Sequence, residues 1–190
     1  MRRASHALIW AGLWFVFFGV PASAQYTGRR QGFWFGLGYG YASANASCDG
    51  CVSGSRVGGV GEFLTIGGTP SPQVLLGVTV DGWTHARQLM GNLVVSLYYY
   101  PHIKDGFYLE GGLGVSTYRL DTSPEVTGGG FGLTLALGYD VPIGRNASLS
   151  PRAAYSNGVV GDLSYVGATS PYRTGWKQDF LFIGLTLTSH

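Results

Sequence analysis

The feature that most constrains the fold is the strict alternation of residues 32–41, GFWFGLGYGY. One parity carries large apolar side chains, and the other carries Trp34 followed by three glycines. Successive side chains of a β-strand point to opposite faces, so this stretch predicts a strand with one bulky apolar face and one nearly bare face. The fold depends on which of the two faces meets water.

The amino-terminal residues predict export of the chain. Two arginines precede an apolar run, residues 7–20, and a small-residue segment ends at Ala24. This pattern is typical of a secretory signal peptide, and we predict cleavage after Ala24. The alternative is an anchoring transmembrane helix, but the run is shorter than the roughly 20 residues that a helical span needs. The sequence therefore predicts a signal peptide, 1–24, and one mature domain, 25–190.

The composition is unusual for a water-soluble domain. Charged residues make up 12% of the chain and aromatic residues 14%, and there are 32 glycines. Soluble domains average about 25% charged residues. Removal of residues 1–24 takes away two arginines and no acidic residue, so the net charge of +2 becomes zero and nothing indicates a nucleic-acid partner. A surface this poor in charge indicates that part of it does not meet water.

Segments of about ten residues in which bulky apolar and smaller residues alternate recur along the mature chain. They are separated by polar loops and by turns that contain Pro, Gly or Asn. Short turns follow the second, fourth and sixth segments. Longer polar loops follow the first, third, fifth and seventh, of which the one after the third is modest and the last is the long loop 157–176. The middle of that loop could instead prolong the flanking strands. The pattern predicts an all-β, eight-stranded antiparallel up-and-down transmembrane barrel. The predicted strands are 32–41, 56–69, 74–83, 92–100, 107–118, 130–140, 147–156 and 179–190.

The less bulky face decides between a soluble barrel and a membrane barrel. In the sixth segment Phe131, Leu133 and Leu135 alternate with Gly132 and Thr134. Such small, mildly polar residues suit the filled interior of a narrow eight-stranded barrel and make a poor water-exposed exterior. We therefore predict that the bulky face contacts lipid and that the glycine-rich face lines the lumen.

Large aromatic residues are expected to form two belts at the membrane interfaces. With the amino terminus on the periplasmic side, one belt lies near the short turns and the other near the long loops. The first belt consists of Phe33, Tyr99, Phe107 and Tyr139, and the second of Tyr41, Trp83, Phe131 and Tyr155.

From Gly32 to His190 the chain resembles the small bacterial outer-membrane β-barrels of the OmpA/OmpX type. The resemblance is carried by GFWFGLGYGY, GGTPSPQVLLGVTVDGW, YYYP, YLEGGLGVS and the final GLTLTSH. It implies a Gram-negative outer-membrane location, with outer-membrane lipids, lipopolysaccharide and the barrel-insertion machinery as partners. Barrels of this type commonly end in an aromatic residue, whereas this sequence ends in Ser189-His190.

Cys48 and Cys51 are the only cysteines, and they lie in the first predicted loop. Export to an oxidising compartment predicts a disulfide within this loop. A thioredoxin-type redox site requires the pair at a helix start, and a metal site requires further ligands nearby. The sequence leaves a redox site, a metal site and free thiols as alternatives to the disulfide.

Ionisable residues within the predicted strands are few. Glu110 and Arg152 share parity with small or polar neighbours, so we predict that both lie in the lumen as an ion pair that plugs the interior. The alternative is a gated narrow channel. Glu62 shares parity with the apolar Leu64, which sends it toward lipid unless a bulge occurs at Gly58–Gly61.

The sequence predicts a small non-enzymatic outer-membrane barrel with a structural or surface role and weak porin-like conductance, without cofactor or metal. One alternative is adhesion or binding of an external ligand through the loops around Cys48–Cys51 and 157–176. A second is a lipid-processing enzyme, which would need a histidine such as His85 beside Ser170 or Asp162, although no motif links them.

Overall fold

The computed structural model describes residues 30–51 and 54–190 of the 190-residue chain. The predicted signal peptide and its cleavage after Ala24 lie outside the described residues and stay predictions. Within the described ranges, no helix is long and apolar enough to cross a membrane. The regular secondary structure there consists of antiparallel strands.

The described residues form one closed sheet. Its strands are β1 (Gly32–Ser47), β2 (Val57–Ser71), β3 (Val74–His85), β4 (Gln88–Tyr99), β5 (Phe107–Leu120), β6 (Val126–Tyr139), β7 (Val141–Pro142), β8 (Ala147–Tyr165) and β9 (Pro171–Ser189). β7 is a two-residue continuation of β6 that pairs with the start of β8. Each long strand pairs with its successor, and β1 pairs with β9. This confirms the predicted eight-stranded antiparallel barrel.

The loop expected after the third strand is a tight hairpin. His85 pairs with Gln88, so Ala86 and Arg87 alone connect β3 to β4. Ala86 has a φ of 51°, the left-handed conformation that two-residue hairpins favour. The predicted longer loop at this position is therefore wrong.

The segment 157–176 is mostly strand, which confirms the alternative that it prolongs its neighbours. β9 pairs with β8 along its length, and it pairs with β1 only as far as Lys177, opposite Ser47, so that beyond this point the β8–β9 hairpin projects alone. We call the rim with this projecting β8–β9 hairpin the hairpin rim, and the rim where β1 begins and β9 ends the terminal rim. The terminal-rim connections 100–106 and 140–146 are not short. Strand length therefore distinguishes the rims, whereas loop length does not.

The bulky parity faces outward, as predicted. Phe131 and Leu135 are 56% and 51% exposed, whereas Trp34 and Gly36 of the opening stretch point inward and are buried. The exposed residues form an apolar belt around the barrel, which suits contact with acyl chains. The belt includes Leu37, Leu64, Ile66, Val78, Val80, Leu93, Val95, Leu109, Leu113, Val115, Phe131, Leu135, Leu137, Leu181, Ile183 and Leu185.

Seven of the eight predicted girdle residues have exposed side chains on the outer face. Four of them lie at strand ends on the terminal rim: Phe33, Tyr99, Phe107 and Tyr139. Tyr41 and Phe131 lie within strands nearer the hairpin rim, whereas Tyr155 lies at mid-strand opposite Leu135 and so does not join a belt at that rim.

The girdle prediction for Trp83 is wrong. Its side chain is 1% exposed and lies inside the barrel, stacked on His85 at a centroid distance of 6.0 Å. The reason is strand parity. Thr79, Asp81 and Trp83 are every second residue of β3, so their side chains all point inward. The alternation of β3 already carried this information.

The bulge suggested at Gly58–Gly61 is also absent from the described pairing. Residues 57–69 of β2 pair with β1 without a register shift, and the irregularity of β2 lies instead between Gly68 and Ser71, against β3. Glu62 therefore points outward and is exposed, opposite Tyr39. Its neighbour on β3 is Gly82, which leaves the carboxylate open space on the barrel surface.

The inward glycines make room for aromatic rings from other strands. A Cβ on Gly61 would overlap the ring of Phe182, and a Cβ on Gly138 would overlap the Tyr108 hydroxyl. The interior is therefore filled by large side chains that lean over glycines, rather than by small residues alone.

A charge on the outer belt tests the lipid-facing assignment. We expect Leu135→Arg to lower the free energy of unfolding in lipid vesicles by about 2–4 kcal/mol, because a basic side chain near the middle of the bilayer loses hydration. Val166→Arg is the matched control, since Val166 is also exposed (63%) but lies in the β8–β9 connection beyond the belt. Urea unfolding followed by tryptophan fluorescence measures both changes. Equal losses at the two positions would contradict the assignment.

Candidate functional site

The centre of the barrel interior holds a three-residue charge cluster. Nη2 of Arg152 lies 2.9 Å from Oε2 of Glu110 and 3.1 Å from Oδ1 of Asp81. Nε of Arg152 donates a second hydrogen bond to Oε2 of Glu110 at 3.0 Å. The structure thus brings together the two residues predicted as a lumen pair, and it adds Asp81, whose inward parity was the missed signal.

Aromatic rings surround this cluster. The guanidinium carbon of Arg152 lies 3.9 Å from the ring centroid of Phe63 and 5.7 Å from that of Phe182. Oδ2 of Asp81, Oε1 of Glu110 and Nη1 of Arg152 have no hydrogen-bond partner. Buried charges are tolerated only when opposite charges compensate them, so each carboxylate depends on the single guanidinium.

An apolar layer closes the interior on the terminal-rim side of the cluster. Trp34 and Tyr98 meet edge to face at a centroid distance of 5.0 Å, and Tyr108 lies 5.8 Å from Tyr98. We call this group the terminal-rim layer, and it comprises Trp34, Phe63, Leu75, Tyr98, Tyr100 and Tyr108.

A second apolar layer closes the hairpin-rim side. Tyr118, a buried member of this layer, packs against the partly buried Trp176 at a centroid distance of 4.6 Å. We call it the hairpin-rim layer, and its buried members are Ala42, Ala44, Trp83, Met90, Tyr118, Val126, Ala154, Val160, Leu163, Phe180 and Phe182.

Hydrogen bonds across the lumen fill the space between the layers. Nδ2 of Asn92 donates to the carbonyl oxygens of Leu133 and Asn157 at 3.1 and 3.2 Å. Nε2 of Gln178 donates to Oγ of Ser116 at 3.0 Å. A void of about 10 Å³ beside Trp34 and Tyr98 has room for about one water molecule. The interior is packed, and it does not form an open channel.

The cysteine loop is fastened to the projecting hairpin. Cys48 and Cys51 form a disulfide across a turn whose Gly50 has a φ of +72°, in agreement with the prediction. The backbone N–H of Asp49 donates to the carbonyl oxygen of Thr174 at 3.0 Å. Arg56 forms an ion pair with Asp179 of β9 at the base of the loop.

No hydrogen bond, ion pair or ring contact among the described residues joins His85 to Asp162 or Ser170. His85 stacks on Trp83, whereas Oδ1 of Asp162 accepts the backbone N–H of Gly175 at 3.4 Å in the projecting hairpin. Ser170 lies in the connection between β8 and β9. Within residues 30–51 and 54–190, no group of three or more His, Cys, Asp or Glu residues could hold a metal ion.

Two solved structures can be compared with this barrel. Neisserial surface protein A is 13% identical in sequence and superposes with a TM-score of 0.57. The match spans 84% of this chain and 97% of the Neisserial protein. The attachment invasion locus protein Ail of Yersinia pestis, solved with the heparin analogue sucrose octasulfate, is 10% identical. It covers 83% of this chain over 99% of its own, with a TM-score of 0.52.

The chain has the fold of the small outer-membrane β-barrels. At these identities the likeness concerns the fold alone, and the sequence matches no protein-family model and no curated protein. The fold of the outer-membrane barrels and the apolar belt of this chain together support a location in a bacterial outer membrane.

Removal of the central cation tests the charge cluster of this outer-membrane barrel. We expect Arg152→Met to lower the free energy of unfolding by about 3–5 kcal/mol, because it leaves two buried carboxylates without a counter-charge. The control is the triple variant Asp81→Asn, Glu110→Gln, Arg152→Met, which keeps similar shapes without charge and should recover most of the loss. Urea unfolding in lipid vesicles measures both. Equal instability of the two variants would show that the carboxylates do not depend on Arg152.

Proposed function

We propose that this chain is a sealed, non-enzymatic barrel of the bacterial outer membrane that acts through its surface and not as a pore. The observation that carries the proposal is the order of layers along the lumen: apolar, charged, apolar. A solute would have to displace both apolar layers and separate Arg152 from its two carboxylates. The weak porin-like conductance expected from the sequence finds no support in this packing.

The absence of catalytic activity is part of the proposal. A hydrolase needs a nucleophile, a base and an orienting group within hydrogen-bond reach at one accessible place. His85 is stacked on Trp83, and Asp162 accepts a hydrogen bond from Gly175, so neither side chain is positioned for that role.

The proposed partners follow from the outer face. The apolar belt fits acyl chains, and the polar side chains of Ser43, Asn45 and Lys177 on the hairpin-rim side of that face fit the headgroup zone of lipopolysaccharide. The barrel-insertion machinery is the expected partner during assembly, because a closed transmembrane barrel has to be inserted into its membrane.

Electrical recording tests the sealed lumen. In planar bilayers we expect no steady conductance from the refolded chain or from its Glu110→Gln and Arg152→Gln variants, because both apolar layers persist in all three. An outer-membrane porin in the same bilayer is the control for detection. Steady channels in the unmodified chain, altered by either substitution, would overturn the proposal in favour of a gated pore.

A second candidate function is recognition of an external ligand at the hairpin rim. It is favoured by the projecting hairpin, where Arg173 lies 5.2 Å from the ring of Tyr172 and Lys177 is exposed on the same strand. Within the described residues neither Arg173 nor Lys177 forms an ion pair. An aromatic ring beside unpaired cations suits an anionic sugar.

Sucrose octasulfate, the ligand in the Ail structure, is a direct probe of this second candidate. We expect calorimetric binding at low salt that weakens at least fivefold in the Arg173→Gln, Lys177→Gln double variant and falls as salt is added. Lys104→Gln removes a cation at the opposite rim and serves as the matched control. Binding that is absent, or equal in both variants, would exclude this recognition site.

A further inference from the structure

The projecting part of the β8–β9 hairpin receives little support from the rest of the sheet. β1 ends at Ser47, opposite Lys177, so none of the described strands pairs with residues 171–176 of β9 on that side. The pairing of β8 with β9 is also irregular here, with three register shifts between Val159 and Ser164. A two-stranded hairpin alone is at best marginally stable in water. This segment therefore depends on contacts from outside its two strands.

Two of these contacts come from the strands that lie beside β8. β6 pairs with β8 at Val126 and Thr127, and Tyr118 of β5 packs on Trp176. The first contact holds β8, and the second holds β9 next to the point where its pairing with β1 ends. Neither contact involves Thr174, which lies farther out on the free edge of β9.

The turn closed by Cys48 and Cys51 contacts this free edge directly. The backbone N–H of Asp49 donates to the carbonyl oxygen of Thr174 at 3.0 Å. The carboxylate of Asp49 lies over Gly175, where an added Cβ would overlap it. Asp49 thus contacts two successive residues of β9 beyond the end of β1. The turn takes the place of a neighbouring strand at this edge.

The disulfide fixes the position of Asp49. The N–H of Cys51 donates to the carbonyl oxygen of Cys48 at 3.1 Å, and Gly50 has a φ of +72°, as in a type II turn. A four-residue turn with one such hydrogen bond opens readily in water, whereas the disulfide joins its two ends covalently. Asp49 and Gly50 are exposed and both cysteines are partly exposed, which leaves the turn open to a reductant in solution.

We infer that the turn 48–51 is a redox-sensitive clip that holds the β8–β9 hairpin in place. A dithiol reductant attacks one sulfur of the disulfide and then closes its own cyclic disulfide, so that two electrons and two protons pass to Cys48 and Cys51, which become thiols. Reduction lets the turn open, withdraws the N–H of Asp49 from Thr174 and frees residues 171–176, while the closed sheet stays intact. The inference concerns the order of the hairpin and does not depend on any ligand recognised at the hairpin rim.

Amide hydrogen exchange tests the clip, measured by nuclear magnetic resonance on the refolded, isotope-labelled chain in lipid nanodiscs. On reduction with dithiothreitol we expect the amides of Asp49 and Gly175 to exchange at least tenfold faster, because their hydrogen bonds to Thr174 and Asp162 are released. Amides of the β1–β9 seam should be unchanged. Unaltered exchange at Asp49 and Gly175, or an equal rise along the seam, would overturn the inference.

The control for the reductant is the double variant Cys48→Ser, Cys51→Ser. The chain has two cysteines, so this variant contains no thiol. It should show the fast exchange without reductant and should not respond to dithiothreitol. Slow exchange in this variant would contradict a role of the disulfide in holding the hairpin.

Two substitutions of Asp49 separate its hydrogen bond from the disulfide. Proline has no N–H and is favoured at the second position of a type II turn, so Asp49→Pro keeps the turn and cannot donate to Thr174. We expect Gly175 to exchange as fast in this variant as in the reduced chain. Asp49→Ala keeps the N–H and loses the carboxylate, and Gly175 should exchange within twofold of the unmodified chain. Slow exchange in Asp49→Pro, or equally fast exchange in Asp49→Ala, would refute the assignment of the clip to this N–H.

Discussion

The hydrogen-bonded seam between β1 and β9 is the constraint on which the rest of the barrel depends. It runs from Phe35 opposite Ser189 to Ser47 opposite Lys177 without a register shift. Hydrocarbon offers no hydrogen bonds to an open sheet edge, so a sheet with an apolar exterior is stable in a bilayer only when it closes on itself. Closure with eight strands leaves an interior just wide enough for side chains. The seam therefore decides that this lumen is filled by protein.

Packing inside the cylinder then ties together strands that are not neighbours in the sheet. Arg152 belongs to β8, whose long partners are β6 and β9, yet its guanidinium contacts carboxylates of β3 and β5. A one-residue slip of β8 would turn Arg152 toward lipid and leave Asp81 and Glu110 buried without a cation. The charge cluster consequently opposes register slippage. This specificity comes at the expense of desolvating three ionisable groups, which the adjacent ring of Phe63 offsets in part.

Alternation alone predicted the strands, the lipid-facing parity and the partnership of Glu110 with Arg152. Trp83 shares the inward parity of Asp81, so strand alternation places its ring in the lumen, whereas its aromatic character alone suggests a girdle position. The length of the β8–β9 hairpin was harder to predict, since polar and glycine-rich strands outside the membrane resemble loops in sequence. The contacts between interior layers were beyond the sequence, because they depend on strand tilt and on which glycines leave room for which rings. A cavity at the terminal rim was equally hidden, since Lys104 of the β4–β5 connection and Ser148 of β8 line it together only after closure.

A filled interior also separates the two ends of the molecule. The layers on either side of Arg152 are close-packed. A close-packed layer can pass a conformational change from one rim to the other only if its side chains have a second way of packing. The described interior holds a void of about one water molecule beside Trp34, which gives the rings of the terminal-rim layer little room to rearrange. Substitutions at the hairpin rim and at the terminal rim share no partners, so their effects should add independently. The barrel is therefore best understood as a rigid support that presents two chemically distinct surfaces, one beyond each face of the membrane, and keeps them uncoupled.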